Sequence, residues 1–478
     1  MHQVIIIGSG FSGIGMGIRL REQGITDFLI LEQADSLGGT WRENTYPGAE
    51  CDIPSALYSF SFEHNANWDY KWSGQQQILH YQQDTARKYG LEPHFRFNQR
   101  VTQLVFDEKG GFWQLNTEGG EVYEARHVIS AVGQLHVPST PSFEGQFDGA
   151  CFHSAQWDHT VDLKGKRVGV IGNAASALQF IPEIAKTAGT VVVFQRSANW
   201  VLPKVDRPYA RWEQWLSARV PLVAKLYRFS LWLRGEAAVY AAIKGNRLAQ
   251  WALRRWSQFY LKKHVSSDTL RAQLTPDYPI GAKRILFSDH YYQAIARANV
   301  VLVTEPIKRL IQNGVRVNAE GQMRDYEVDV LIYGTGFVTN PFLSTLEVLG
   351  RDGRSLEAHW QEGAHAYLGI ATHGFPNLHF MYGPNTNLGH NSIIIMIEAQ
   401  AKAIARLVAL DVVEIDAQAE IEFNEEMQAR LNQLSFAAIE DSWYLSAGRV
   451  TNNWAGRTTE YRRRLAALDL SLFQPKAR

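Results

Sequence analysis

The stretch "VIIIGSGFSGIGMGIRLREQG", Val4 to Gly24, decides the fold. A β-branched run closes on Gly8 and turns at once into a helix, the order expected where a buried parallel strand feeds a crossover helix. Gly8, Gly10 and Gly13 stand at the spacing that allows a tight turn, a close backbone approach to a phosphate, and close packing of helix on strand. A second strand, "DFLILE", ends at Glu32, where an acid accepts hydrogen bonds from a ribose diol. The helix N-terminus adds free N–H groups and a positive dipole end. Together these features predict a site for an adenine dinucleotide that lacks a 2′-phosphate.

The same grammar returns further along. "KRVGVIGNAASALQF", Lys166 to Phe180, puts Gly172, Asn173, Ala174, Ala175 and Ser176 at a second strand-to-helix turn, and "TVVVFQRS" carries Arg196 and Ser197. Arg196 lies 24 residues after Gly172, the offset that separates Glu32 from Gly8. A guanidinium grips a 2′-phosphate that a carboxylate repels. The first cradle is therefore expected to hold FAD or NAD and the second NADPH, although the Ala174 methyl crowds the pyrophosphate. Two apolar runs that close on glycine turns, Arg126–Gln134 and Val328–Phe337, mark where the chain leaves one nucleotide domain and re-enters it. The expected class is α/β with two Rossmann-like dinucleotide-binding domains. The NADPH domain, 146–335 with a helical insertion at about 205–275, is inserted into an FAD domain built from 1–145 and 336–478. NADPH laid against FAD can pass it a hydride.

Composition narrows the function. With 478 residues, 45% of them hydrophobic, the chain can build the cores of two or three domains. A formal net charge of zero excludes a sequence-wide footprint for nucleic acid. Two distant cysteines, Cys51 and Cys151, exclude a dithiol pair, a cysteine zinc cluster and a disulfide framework, and no metal site is expected. No apolar run approaches the ~20 residues that span a bilayer. Structure begins almost at residue 3, so a cytoplasmic chain without signal peptide is expected. One region departs from neutrality. Residues 207–263 hold twelve Lys or Arg against two Glu, with Trp212, Trp215, Trp232, Trp251 and Trp256 among apolar residues. The segment reads as helices that pack on the NADPH domain and roof the pocket, or as a peripheral contact with anionic membrane.

Two further stretches carry a resemblance. "GGTWRENTYPGAECD", Gly38 to Asp52, and "FDGACFHSAQWD", Phe147 to Asp158, resemble the two fingerprints of type I Baeyer–Villiger monooxygenases. The second follows FxGxxxHxxxW[P/D] at Phe147, Gly149, His153, Trp157 and Asp158. The resemblance implies that FAD, reduced by NADPH, activates O2 as a C4a-peroxyflavin. That species inserts oxygen beside a ketone carbonyl to give an ester or lactone, with sulfides as further substrates. By itself "AKR" in "YPIGAKRILF", Tyr278 to Phe287, reads as a solvated basic pair. The resemblance instead makes Arg284 the fixed cation beside the anionic oxygen, Asp52 the acid that orients it and touches the cofactors, and Lys283 a partner of the 2′-phosphate. It extends the cofactor contacts to Phe11, Ser12, Gln33, Gly39, Thr40, Trp41, Tyr58, Val101, Gln134 and Asn385, and leaves His153 and His390 structural roles. The tail Trp443–Arg464 resembles a segment of the shorter enzymes of this family. The expected partners are O2 and a lipophilic ketone or sulfide. The alternatives are an N- or S-oxidising flavin monooxygenase, and an uncoupled NADPH oxidase or flavin redox sensor.

Overall fold

The computed structural model describes residues 1–435, 445–446 and 448–473, so Trp443, Tyr444 and Ala447 of the tail lie outside the described residues. Strand His2–Ile7 is buried from Val4 onward, as its β-branched run requires, and pairs in parallel with Phe28–Leu31 on one side and Val122–Ser130 on the other. Val122–Ser130 then serves two neighbours along its outer edge. Its first half pairs antiparallel with Phe112–Thr117, which leads on to Val101–Asp107 and Glu347–Leu349. Its second half takes Leu378–Phe380 in parallel, with Leu378 opposite Val128. Strands from both ends of the chain thus close one sheet.

Between them lies a second sheet in the order Val300–Val303, Thr190–Phe194, Arg167–Ile171, Val330–Tyr333, Ala150–His153, all parallel. The fold is therefore two Rossmann-like units, the second inserted in the first. A small antiparallel sheet lays Leu310, Val315 and Val317 on Ile171 and Phe194 of this second unit.

The helical insertion runs through Arg211–Arg219, Pro221–Arg234 and Arg247–His264, with a π-turn at Gly235–Val239. It does not rest on the second unit alone. Tyr260 packs on Tyr292 there, but Leu231 packs on Ala56 and Leu57 of the first unit. Glu236 in the π-turn is buried and accepts hydrogen bonds from Thr458 Oγ1 (2.6 Å) and Asn391 Nδ2 (3.1 Å), which tie the insertion to the C-terminal segment. Among the described residues no helix is long and apolar enough to cross a membrane.

Candidate active site

Helix Phe11–Glu22 starts from Gly10 with no side chain capping it, and Gly10, Phe11 and Ser12 line a large cavity. Its first N–H groups are left for a ligand. Gly13 does not reach the wall; a Cβ there would collide with the Gly8 carbonyl, so this glycine lets the helix sit on the strand. Glu32 is buried at the strand end and accepts from Ser9 N (2.9 Å), Ser9 Oγ (2.6 Å) and Ala34 N (3.0 Å), which fixes its carboxylate on the wall. Trp41 Nε1 donates to the Tyr58 hydroxyl oxygen (3.1 Å), and Phe11 meets the Tyr58 ring edge-on at 5.3 Å. Burial holds the Tyr58 hydroxyl well above its ordinary pKa, so this corner stays neutral.

The second cradle copies the first. Ala174 caps helix Ala175–Ile184 with φ −76° and ψ −169°, against −76° and −167° at Gly10, and again no side chain blocks the N–H groups. The Ala174 methyl is thus carried without changing the turn. The equal offsets of Glu32 and Arg196 do not, however, make them structural equivalents. Gly8 N donates to Leu31 O and Gly172 N to Phe194 O, so Leu31 and Phe194 are equivalent strand ends. The second unit is one residue shorter between glycine and strand end. Gln195, not Arg196, therefore stands where Glu32 does, and Arg196 takes the place of Gln33. Gln195 repeats the Glu32 contact in neutral form, its Oε1 accepting from Asn173 Nδ2 (2.8 Å) while its Nε2 donates to Gln273 O (2.7 Å). Arg196 projects from the wall near Lys283, whose ammonium burial and the Arg196 charge push below the usual lysine range.

The first fingerprint is a seam between the units. Tyr46 OH donates to Gln179 Oε1 (2.8 Å), and Gln179 Nε2 donates back to the Glu50 carbonyl (2.9 Å). Gly48 has φ +78°, and a Cβ there would lie 2.7 Å from the Gln179 carbonyl oxygen and 2.9 Å from Glu183 Cγ. Only glycine fits both the conformation and the contact. Lys204, almost fully buried, pairs with Glu50 at 2.6 Å and donates to the Cys51 carbonyl at 3.0 Å. The next residue, Asp52, holds Arg284 Nη2 at 2.6 Å. From the second fingerprint, Trp157 stacks at a tilt on Phe180, 5.4 Å away, in the same helix as Gln179. Gln179 and Lys204 were not found in the sequence, because nothing near them announces partners more than 120 positions away.

The cavity, about 1080 Å3, runs from one cradle to the other past Asp52, Lys283 and Arg284. Every expected cofactor contact lies on its wall except Gly13 and Asn385. Asn385 stands behind the wall, where its Nδ2 donates to the carbonyls of Val450 (2.7 Å) and Asn453 (3.1 Å) and pins the loop to the C-terminal segment. Tyr382, Asn387 and Asn391 reach the wall instead. His153 is off the wall, and its Nδ1 accepts from Ala155 N (3.1 Å) in the linker. His390 is also off the wall, 3.4 Å from Glu236. Two uncapped helix N-termini, a fixed acid at one and two cations at the other form the donor set that two dinucleotides need.

Residues 5–225 match the family described as pyridine nucleotide-disulphide oxidoreductase. The only cysteines, Cys51 and Cys151, are both free, so the dithiol chemistry in that description has no counterpart here. The chain is 41% identical to a Baeyer–Villiger monooxygenase of Pseudomonas aeruginosa over 98% of this chain and 91% of that one. It is 40% identical to another of Streptomyces coelicolor, over 99% and 92%. Among solved structures it resembles an oxidised steroid monooxygenase bound to NADP (31% identity, TM-score 0.86, 98% and 97% covered). It also resembles a cyclohexanone monooxygenase from Rhodococcus bound to NADP+ (27%, TM-score 0.88, 99% of both). With two cradles, both fingerprints and such identity along nearly its whole length, the chain belongs to the Baeyer–Villiger monooxygenase family.

Proposed function

We propose that this chain uses FAD, NADPH and O2 to insert one oxygen atom beside the carbonyl of a lipophilic ketone, giving an ester or lactone. The second oxygen atom leaves as water, and NADPH supplies the two electrons. The observation that carries this reading is the Arg284–Asp52 pair, 2.6 Å apart on the wall between the cradles. FAD, when bound, takes the hydride and activates O2. The rest falls to the chain's own residues. Glu32 holds the ribose of FAD, and the helix N-terminus at Gly10 faces its pyrophosphate. Arg196 and Lys283 hold the 2′-phosphate of NADPH, beside a neutral Gln195 that does not repel it. Arg284 places a permanent positive charge where an anionic oxygen nucleophile must form, and a guanidinium cannot quench it by giving up a proton. Asp52 orients that guanidinium. Trp41, Tyr58 and Phe11 wall off water, which strengthens the charge interaction.

Sulfides are a second substrate class for the same site. The chain works in the cytoplasm, with the surface of residues 207–263 turned toward a membrane. A ketone and sulfide panel run with NADPH and isotopically labelled O2 tests the reading. One labelled oxygen should appear in each ester. NADPH oxidation without labelled product from any member of the panel would refute it.

A further inference from the structure

Each long helix of the insertion carries two apolar rows, and one row of each faces outward. In Pro221–Arg234 the inward side is Ala224 and Leu231, while Leu222, Leu226, Phe229 and Leu233 point to solvent at positions i, i+4, i+7 and i+11. That spacing is one face of a helix, not a scatter of surface residues. Trp212 and Trp215 do the same in Arg211–Arg219, and Leu248, Trp251, Trp256 and Phe259 in Arg247–His264. Together with Val220 these eleven side chains are 37% to 73% exposed. They make up eleven of the nineteen large hydrophobics exposed among the described residues, gathered in about a tenth of the chain. Isolated exposed hydrophobics need no explanation, but an ordered concentration of them does.

Charge identifies what covers this face. Arg211, Arg219, Lys225, Arg234, Lys244, Arg247, Arg254, Arg255, Lys262 and Lys263 are all exposed on the same helices. The two acids of this stretch face inward: Glu213 pairs with Lys71 (2.9 Å) and Arg207 (2.7 Å), and Glu236 is buried. Exposed tryptophan, leucine and phenylalanine among cations that make no ion pair with the described residues match the boundary of an anionic bilayer. There rings sit at the headgroup level and the charged ends of Lys and Arg reach phosphate. A second copy of this chain would bring the same cations against each other, which like-charge repulsion disfavours.

We infer that the outward face of residues 211–264 docks on an anionic phospholipid bilayer. The inference rests on the proposed function only for its use, the supply of lipid-dissolved ketones. The same helix backs the cavity: Leu231 packs with Ile53, Arg228 Nη1 donates to Ala56 O (2.7 Å), and Asn391 Nδ2 donates to Trp232 O (3.2 Å), with Ile53 and Asn391 both on the cavity wall. Pro221–Arg234 thus turns one side to lipid and packs its other side on residues of the chamber wall.

Sedimentation of the FAD-loaded enzyme with vesicles tests this without any turnover. With vesicles of three parts phosphatidylcholine to one of phosphatidylglycerol the protein should pellet. It should remain in solution with pure phosphatidylcholine, and should be released at about 1 M salt, where charges are screened beyond ~3 Å. Leu226→Glu with Phe229→Glu should weaken partitioning by about tenfold per side chain, hence about 100-fold. Lys262→Ala with Lys263→Ala should cost about fivefold per charge, and only on the anionic vesicles. Both variants should keep their FAD absorbance, melting temperature and turnover of a water-soluble ketone. Wild-type protein that stays in solution with anionic vesicles overturns the inference. So does a Leu226→Glu, Phe229→Glu variant that keeps its flavin and still pellets, or a wild-type dimer that this variant dissolves. If vesicles bind yet no ketone is oxygenated, the functional reading fails and the docking face stands.

Discussion

Replacing Arg284 by alanine separates the two halves of the reaction, because reduction of the flavin by NADPH needs no cation beside oxygen and oxygen transfer does. The side chains of Arg284 and Asp52 are 33% and 21% exposed, a setting in which an effective dielectric of ~20 applies. A guanidinium about 4 Å from an oxygen anion then contributes about 4 kcal/mol. At ~1.4 kcal/mol per decade this is about 10³ in rate. Partial exposure to solvent screens some of it, which leaves an expected loss of about 10²–10³ in ester formation. FAD should still bind and NADPH should still bleach it, with the electrons leaving as hydrogen peroxide. Arg284→Lys should not restore the ester, since a desolvated ammonium can surrender its proton. Asp52→Ala should be milder, roughly 10- to 100-fold, through a misplaced arginine. The assay follows NADPH consumption, peroxide and ester in parallel. An Arg284→Ala enzyme that makes ester at the wild-type rate, one per NADPH, would move the site of oxygen transfer elsewhere and refute the reasoning.

Three further outcomes are expected. Arg196→Ala should raise KM for NADPH by about 10- to 150-fold with little change for NADH, the loss of charge-assisted bonds to a phosphate; equal kcat/KM for both nucleotides in the unaltered enzyme would reject the assignment. Lys283 has its pKa lowered by burial and by Arg196, so the free enzyme loses this cation at a pH below the usual lysine range. KM for NADPH should therefore climb toward alkaline pH while KM for NADH stays level, and Lys283→Arg should flatten the climb; parallel profiles for the two nucleotides would contradict this. Gly48→Ala must strain a left-handed backbone by about 1–2 kcal/mol and push on Gln179 and Glu183. Its melting temperature should fall and KM for NADPH rise with flavin content unchanged, and an unaltered melting curve would show that the seam is slack.

What the sequence revealed depended on distance along the chain. Gly8, Gly10, Gly13 and Glu32 are legible because strand, turn, helix and acid follow one another within about thirty residues, so a short pattern captures the whole site. The second cradle was equally visible, but the position of Arg196 was not. Counting residues assumes equal helix-and-turn lengths, and only the pairing of Phe194 with Ile171 reveals the missing residue. Asn385 sits in a loop that borders the cavity, and nothing in the sequence signals that its Nδ2 donates to carbonyls from the far end of the chain. Gln179 and Lys204 left no signal, since their meaning comes from tertiary contacts with Tyr46 and Glu50. The two fingerprints are legible as a family pattern, but their work as joinery between the units shows only in contacts such as Tyr46 with Gln179 and Trp157 with Phe180.

That joinery makes the two nucleotide sites thermodynamically reciprocal. The peptide from Tyr46 to Asp52 belongs to the first unit, but Gln179, Lys204 and Arg284 of the second hold it at three points. A nucleotide that steadies the second unit therefore steadies the aim of Arg284. Linkage then requires an anion gripped by Arg284 to tighten the binding of that nucleotide by the same free energy. Cooperativity between sites that share no ligand would here be carried by seven residues of backbone. It should be readable as a larger Kd for NADP+ in Asp52→Ala than in the parent enzyme.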